Sequence, residues 1–224
     1  GQMDGIFFES VLDNDYRMTR LITGETELYK LSNDPHEFTN LAPNPKYAAM
    51  IQKLEEHLSF RYPEVPADGW IEAESIPAQT SADYKLRGNC HYTRSVANAS
   101  GGRIICADLR AGKGSYIDFV LNVPSAGTYR LGGKIASSGT CSVQVDSVKN
   151  DADQSDTGYP MKVIGSLNAS AEFKEVSLGV ARFDKPGLKI IRFISSGPKQ
   201  KVEFDRIRLV QDDDFPVNGS STRK

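Results

Sequence analysis

From residue 70 to about residue 211 the chain is a succession of short runs in which apolar and polar side chains alternate. Cys141, Val143 and Val145 stand against Ser142, Gln144 and Asp146. A period of two is that of a strand with one buried face. Val202, Phe204, Ile207 and Leu209 repeat the pattern with a slip at Asp205, which predicts a β-bulge there. Further strands are predicted over Ile71–Ile76, Tyr116–Val123, Thr128–Ile135, Phe173–Val180 and Leu188–Ile194, all rich in β-branched and aromatic residues. Turns such as Val123-Pro-Ser-Ala-Gly127, Asp184-Lys-Pro-Gly187 and Ser195-Ser-Gly-Pro198 divide them. Strands at this spacing, with no helix between them, predict an antiparallel β-sandwich of the jelly-roll kind.

The first 62 residues have a different texture. Runs with strand character at Gly5–Ser10, Tyr16–Ile22 and Thr26–Leu31 precede one amphipathic helix. Asn44 is its N-cap and Pro45 takes the first helical position, where a missing N–H is harmless. Tyr47, Met50, Ile51, Leu54 and Leu58 form a single apolar stripe, and the helix is expected to end near Phe60. Just upstream, in ELYKLSNDPHEFTNLA, the residues Asp34, Pro35 and Glu37 have the spacing of a capping box, with Phe38 and Leu41 turned to an underlying surface. The chain thus divides into a small α+β unit (1–62), a linker with two prolines and a terminal glycine (63–69), a sandwich (70–211) and a flexible tail (212–224).

Composition narrows the function classes. Of 224 residues, 39% are apolar and 25% charged, which suffices for one substantial core. The formal charge of −2 provides no overall basic field for nucleic acid or an anionic membrane. Lys199, Lys201, Arg206 and Arg208 alternate with acids and read as solvated strand faces, as does the acidic run at Asp212–Asp214. No apolar run reaches the length of a bilayer span. Cys90, Cys106 and Cys141 fit no metal motif and read as buried thiols, with Cys90–Cys106 the pair to check for a disulfide. His36, His57 and His91 lack metal-ligand spacing, and neither G-x-S-x-G nor a glycine-rich phosphate loop occurs. No active site is nominated, and a non-catalytic chain is expected.

Two carboxylates do stand out. Glu72 and Glu74 lie two apart on the predicted strand after Trp70, so both project from one face while Ile71 and Ala73 face the core. Paired carboxylates repel unless a cation lies between them. A hard divalent ion and a solvent-facing edge position both satisfy that pattern.

Three segments resemble the carbohydrate-binding module family 6 and its relatives in family 35. They are Trp70-Ile-Glu-Ala-Glu-Ser75, Gly114-Ser-Tyr-Ile-Asp-Phe-Val-Leu-Asn-Val-Pro-Ser-Ala-Gly-Thr-Tyr129 and Val202-Glu-Phe-Asp-Arg-Ile-Arg-Leu209. The resemblance implies a jelly roll, a structural Ca²⁺ held by Glu72, Glu74 and Asp205, and a poly- or oligosaccharide as partner. It transfers less to the sugar site, because Arg103–Ser115 contains no aromatic residue. Phe173 stands where the family has a tryptophan, and Glu203 where it has an asparagine. Trp70 reads as packed against the base of the sandwich. Tyr84, Tyr92 and Tyr159 are loop aromatics that serve either as half-buried packing or as a sugar platform, since flat rings stack on pyranose faces.

A second resemblance covers the front of the chain. Asp15-Tyr-Arg-Met-Thr-Arg-Leu-Ile22, Glu27-Leu-Tyr-Lys-Leu31 and Asn33-Asp-Pro-His-Glu-Phe-Thr-Asn-Leu-Ala42 are similar, in order and spacing, to the C-terminal end of an arylsulfatase-type sulfatase. The nucleophile motif of that family, C/S-x-P-x-R, is absent from these residues. The expectation is therefore a non-catalytic C-terminal portion of a sulfatase, periplasmic or extracellular. Its catalytic domain is then the missing partner, and its sandwich binds glycan or merely braces the enzyme.

Overall fold

The computed structural model describes residues 2–3, 6–22, 24–59, 61–80, 91–109, 113–147 and 161–212. Four antiparallel strands, β1 (Gln2–Met3), β2 (Ile6–Asp13), β3 (Tyr16–Leu21) and β4 (Thr26–Lys30), lie side by side in chain order. The apolar stripe of the helix covers one face of this sheet, so that Leu54 and Leu58 bury Met18 and Leu28. Arg20 pairs with Glu55, and Lys53 reaches Asp13 at 2.5 Å, fastening the helix at its edges.

The helix is shorter than its stripe suggests. Pro45–Tyr47 form a 3₁₀ turn, with the Asn44 side chain accepting from the Lys46 N–H at 3.2 Å, and α1 spans Ala48–Glu55. The upstream capping box does not form. Asp34 does accept from the N–H groups of Phe38 and Thr39, at 3.0 and 2.8 Å, but around an isolated turn. Glu37 adopts a positive φ of 59° and pairs with Arg17 instead of bonding back. Phe38 is left 85% exposed, while Leu41 packs on the small core.

The remaining strands build two sheets. They are β5 (Trp70–Glu72), β6 (Ala78–Thr80), β7 (His91–Ser95), β8 (Arg103–Leu109), β9 (Tyr116–Val123), β10 (Gly127–Ser137), β11 (Cys141–Ser147), β12 (Lys162–Leu167), β13 (Ser170–Phe183), β14 (Gly187–Ser195) and β15 (Gln200–Gln211). One sheet has the order β13-β10-β15-β8-β7, with β5 added alongside β15; the other has the order β12-β11-β14-β9-β6. Every strand pair is antiparallel. The fold is a mainly β sandwich carrying a small α+β unit. Between the sheets, the rings of Phe119, Phe193 and Phe204 meet edge-on, with centroids 4.8, 4.9 and 6.1 Å apart. The slip at Asp205 is a register shift: Lys134 pairs with Arg206 and Ile135 with Phe204, leaving Asp205 extra.

Residues 61–69 are held at several points. Burial pushes the Tyr62 phenol up to about 12, and its hydroxyl donates to the Ile22 carbonyl at 3.0 Å. Glu64 bridges to Asn122 and Val65 packs on the sandwich core. Gly69, at φ 75°, approaches the Leu209 carbonyl so closely that a Cβ would collide with it. Cys106 and Cys141 are buried free thiols, so Cys106 is not in the disulfide considered above; Cys90 lies outside the described residues. No helix among the described residues is long and apolar enough to cross a membrane.

Candidate functional site

Alternation along β15 sends Val202 and Phe204 into the core and Glu203 to the outer face. Register then places Tyr92 opposite Cys106, Cys106 opposite Glu203, and Glu203 opposite Ala136. Four strands thus present one row, Tyr92–Cys106–Glu203–Ala136, on the outer face of the β13-β10-β15-β8-β7 sheet. Tyr92 is 48% exposed at one end. At the other end a cleft of about 420 Å³ is lined by Ala136, Ser137, Ser138 and Ala171 together with Lys201 and Glu203.

Charge is concentrated at the middle of the row. Lys201 Nζ lies 2.6 Å and Arg94 Nη2 3.0 Å from Glu203 Oε1. Burial alone would raise the Glu203 carboxyl, but the bonds from Lys201 and Arg94 outweigh it and hold it below the usual range. Burial also pushes the Cys106 thiol up. His91, opposite the core residue Ala107, points to the inner face of the sheet, where burial lowers its imidazole to about 4. At neutral pH the site therefore holds a carboxylate and a protonated thiol. Its charged groups already satisfy one another, which suits hydrogen bonding to a ligand rather than proton transfer or nucleophilic attack.

Of the other sugar-site candidates, Phe173 lies half-buried on β13, two residues beyond Ala171 of the cleft wall. Tyr84 and Tyr159 lie outside the described residues. Arg94 and Lys201 were not singled out as ligand contacts by sequence. Their meeting depends on β15 pairing with β8 of the β7–β8 hairpin, from which it is remote along the chain.

The calcium expectation is overturned. Among the described residues, no group of three or more His, Cys, Asp and Glu side chains could hold a metal ion. β5 ends at Glu72, and Glu74 sits in a 3₁₀ turn over Ala73–Ser75, so the two carboxylates do not share a strand face. Asp205, 1% exposed, is already engaged: Lys134 Nζ lies 2.7 Å from Oδ2, and the N–H and hydroxyl of Ser100 each lie 2.9 Å from Oδ1. The lysine ammonium supplies the positive charge that was assigned to calcium. Burial would raise the Asp205 carboxyl, yet the bonds from Lys134 and Ser100 bring it below the ordinary carboxylate range. Glu72 Oε2 accepts from the Ser100 hydroxyl at 2.9 Å.

Glu74 has no such partner for its buried Oε2. Burial, and then the charges of Glu72 and Asp205, raise its carboxyl above the ordinary value of 4.5. A raised carboxyl favours the folded state at low pH, and that advantage is lost as pH climbs from 4.5 through the folded value. Glu74→Gln is accordingly expected to raise the melting temperature by about 1–3 °C at pH 7. The gain should vanish below pH 4; a drop in stability at pH 7 would refute the repulsion.

No protein-family model matches the chain, and no curated protein matches it. Among solved structures it is similar to a Paenibacillus xanthan lyase, at 18% identity over 93% of this chain, with a TM-score of 0.49. The match spans only 18% of that enzyme's length. It is also similar to a family 35 carbohydrate-binding module from Clostridium thermocellum, at 17% identity over 64% of this chain and 97% of the module, TM-score 0.41. A third similarity is to a family 6 module from Clostridium stercorarium in complex with cellobiose, at 17% identity over 67% of this chain and 98% of that one, TM-score 0.40. At these levels the sandwich architecture stands on this chain's own strand order.

Proposed function

We propose that the chain is a non-catalytic glycan-binding portion of a larger enzyme, taking an oligosaccharide along the row Tyr92–Cys106–Glu203–Ala136. The observation that carries this reading is Tyr92, which holds a large ring 48% exposed at one end of a polar row whose other end opens into a small-residue cleft. A sugar ring stacks its C–H face on the phenol, while Arg94, Lys201 and Glu203 supply donors and acceptors for its hydroxyls. The cleft volume, about 420 Å³, falls in the range of roughly 300–1,000 Å³ that holds small ligands. Phe173, Tyr84 and Tyr159 belong to the same proposal as further ring surface. The order and spacing of Glu27–Leu31 and Asn33–Ala42 support a sulfatase parent acting on sulfated carbohydrate in the periplasm or outside the cell.

Tyr92→Ala is expected to weaken binding about tenfold or more in calorimetric titrations with a panel of neutral and acidic oligosaccharides. Binding left intact by that substitution would remove the site, and silence across the panel would remove the glycan reading. A second reading, a sandwich that only braces its neighbour, draws support from the multiple contacts of residues 61–69. It predicts that silence.

A further inference from the structure

Trp70 is the only tryptophan of the chain, and its indole is not part of the sandwich core. It is flanked by two guanidinium groups, with Arg206 Cζ 4.4 Å and Arg208 Cζ 5.2 Å from the ring centroid. Both arginines point outward from β15, two residues apart, so their Cα atoms are about 7 Å from each other. Like charges at that spacing repel. Among the described residues no carboxylate forms an ion pair with either.

The surrounding groups do not supply the missing charge. Opposite Arg206 stand Lys134 on β10 and Glu72 on β5. Lys134 is neutralised by Asp205, and Glu72 is turned to the Ser100 hydroxyl. Opposite Arg208 stands Gly132, which brings no side chain over it. Arg208 Nε makes a single bond, to the Asp68 carbonyl at 3.3 Å, and Arg206 Nε is buried with no acceptor at all. A buried donor without an acceptor is costly. Two guanidiniums held against one indole have also surrendered rotamer freedom before any ligand arrives.

From this we infer that Arg206 and Arg208, clamped on Trp70, form an oxyanion-binding subsite, and that the glycan is one bearing sulfate esters or carboxylates. The inference rests on the glycan-binding reading and specifies its substrate class. The planar fork of an arginine matches both oxyanions, and Arg208, the exposed one of the pair, presents it to solvent. Arg206 follows Glu203 by three positions on β15, about 10 Å, so a saccharide seated on the row at Glu203 also reaches Arg206. The chain as a whole is mildly acidic, so the attraction is local to this patch.

Because Trp70 is unique, intrinsic fluorescence reports on this subsite directly. The test titrates the whole chain with a sulfated carrageenan oligosaccharide, an oligogalacturonate and a neutral cello-oligosaccharide, with calorimetry alongside. At least one anionic ligand should bind about tenfold or more tightly than the neutral one, perturb Trp70 and weaken as salt rises. Which of the two binds separates sulfate ester from carboxylate. In Arg206→Gln/Arg208→Gln that advantage should disappear while neutral binding and the melting temperature persist; Arg208→Lys should retain part of it. Tyr92-dependent binding with no gain from charge, or full anionic affinity in the double variant, overturns the inference and leaves the glycan reading standing. No binding of any saccharide overturns both.

Discussion

Asp118→Ala is expected to remove about 3–5 kcal/mol of unfolding free energy, the range for breaking a buried ion pair by deleting one partner. Asp118 is 0% exposed on β9, and both its oxygens are held by Arg192 of β14, Nε at 2.7 Å and Nη2 at 2.8 Å. Gln79 of β6 donates to the same carboxylate at 3.3 Å, so one side chain ties three strands of a sheet. Arg192 in turn stacks over Tyr116, with Cζ 3.7 Å from the ring centroid. Without Asp118, the guanidinium loses its bidentate partner in a place where water replaces it poorly. Urea denaturation measures the loss. A double replacement of both partners by apolar residues should recover most of it, because the penalty lies in the orphaned charge. A loss below about 1 kcal/mol would mean that the pair is solvated in practice.

Phe204→Ala should be similarly severe, about 3–5 kcal/mol, for a different reason. Phe204 is 0% exposed, and its ring centroid lies 4.8 Å from that of Phe193 and 4.9 Å from that of Phe119. Those two rings belong to the opposite sheet, so Phe204 is one of the contacts by which the sheets face each other. Truncation removes a large apolar area from burial and leaves a cavity that rigid flanking strands cannot close. The neighbouring register shift at Asp205 should persist, since Lys134 and Ser100 hold that residue independently. Hydrogen exchange on β10 and β15 would check this point. Loss of protection limited to the core-facing side is expected; collapse of the Asp205 contacts would show that packing sets the bulge.

Parts of this structure are readable from local pattern, and the exceptions have specific causes. β11 and β15 alternate plainly because one face of each meets the core. β8 shows no alternation, because Ile104, Ile105, Cys106 and Ala107 are all buried. Its outer-face Cys106 is covered by side chains such as Arg94 and Glu203, which arrive from other strands. The capping box at Asp34 failed because Arg17, twenty positions earlier, took the Glu37 carboxylate. The position of Trp70 beside the linker suggests packing at the base of the sandwich, whereas its ring lies against two arginines of the last strand.

Local residue pattern carries most of the strand-forming runs, the turns between them, the apolar stripe of the helix and the slip at Asp205. Each of these is written in neighbouring residues, through periods of two and 3.6 and the backbone limits of proline and glycine. Which charges meet is set by the pairing of strands far apart in the chain. Glu72, Glu74 and Asp205 carry the residue types of a cation site, but register puts the Lys134 ammonium on Asp205. Register likewise lines Tyr92 up with Glu203 and leaves Arg206 and Arg208 on Trp70 without a carboxylate. Such pairings depend on the alignment of distant strands, and a one-residue change of register would send every one of those side chains to the other face.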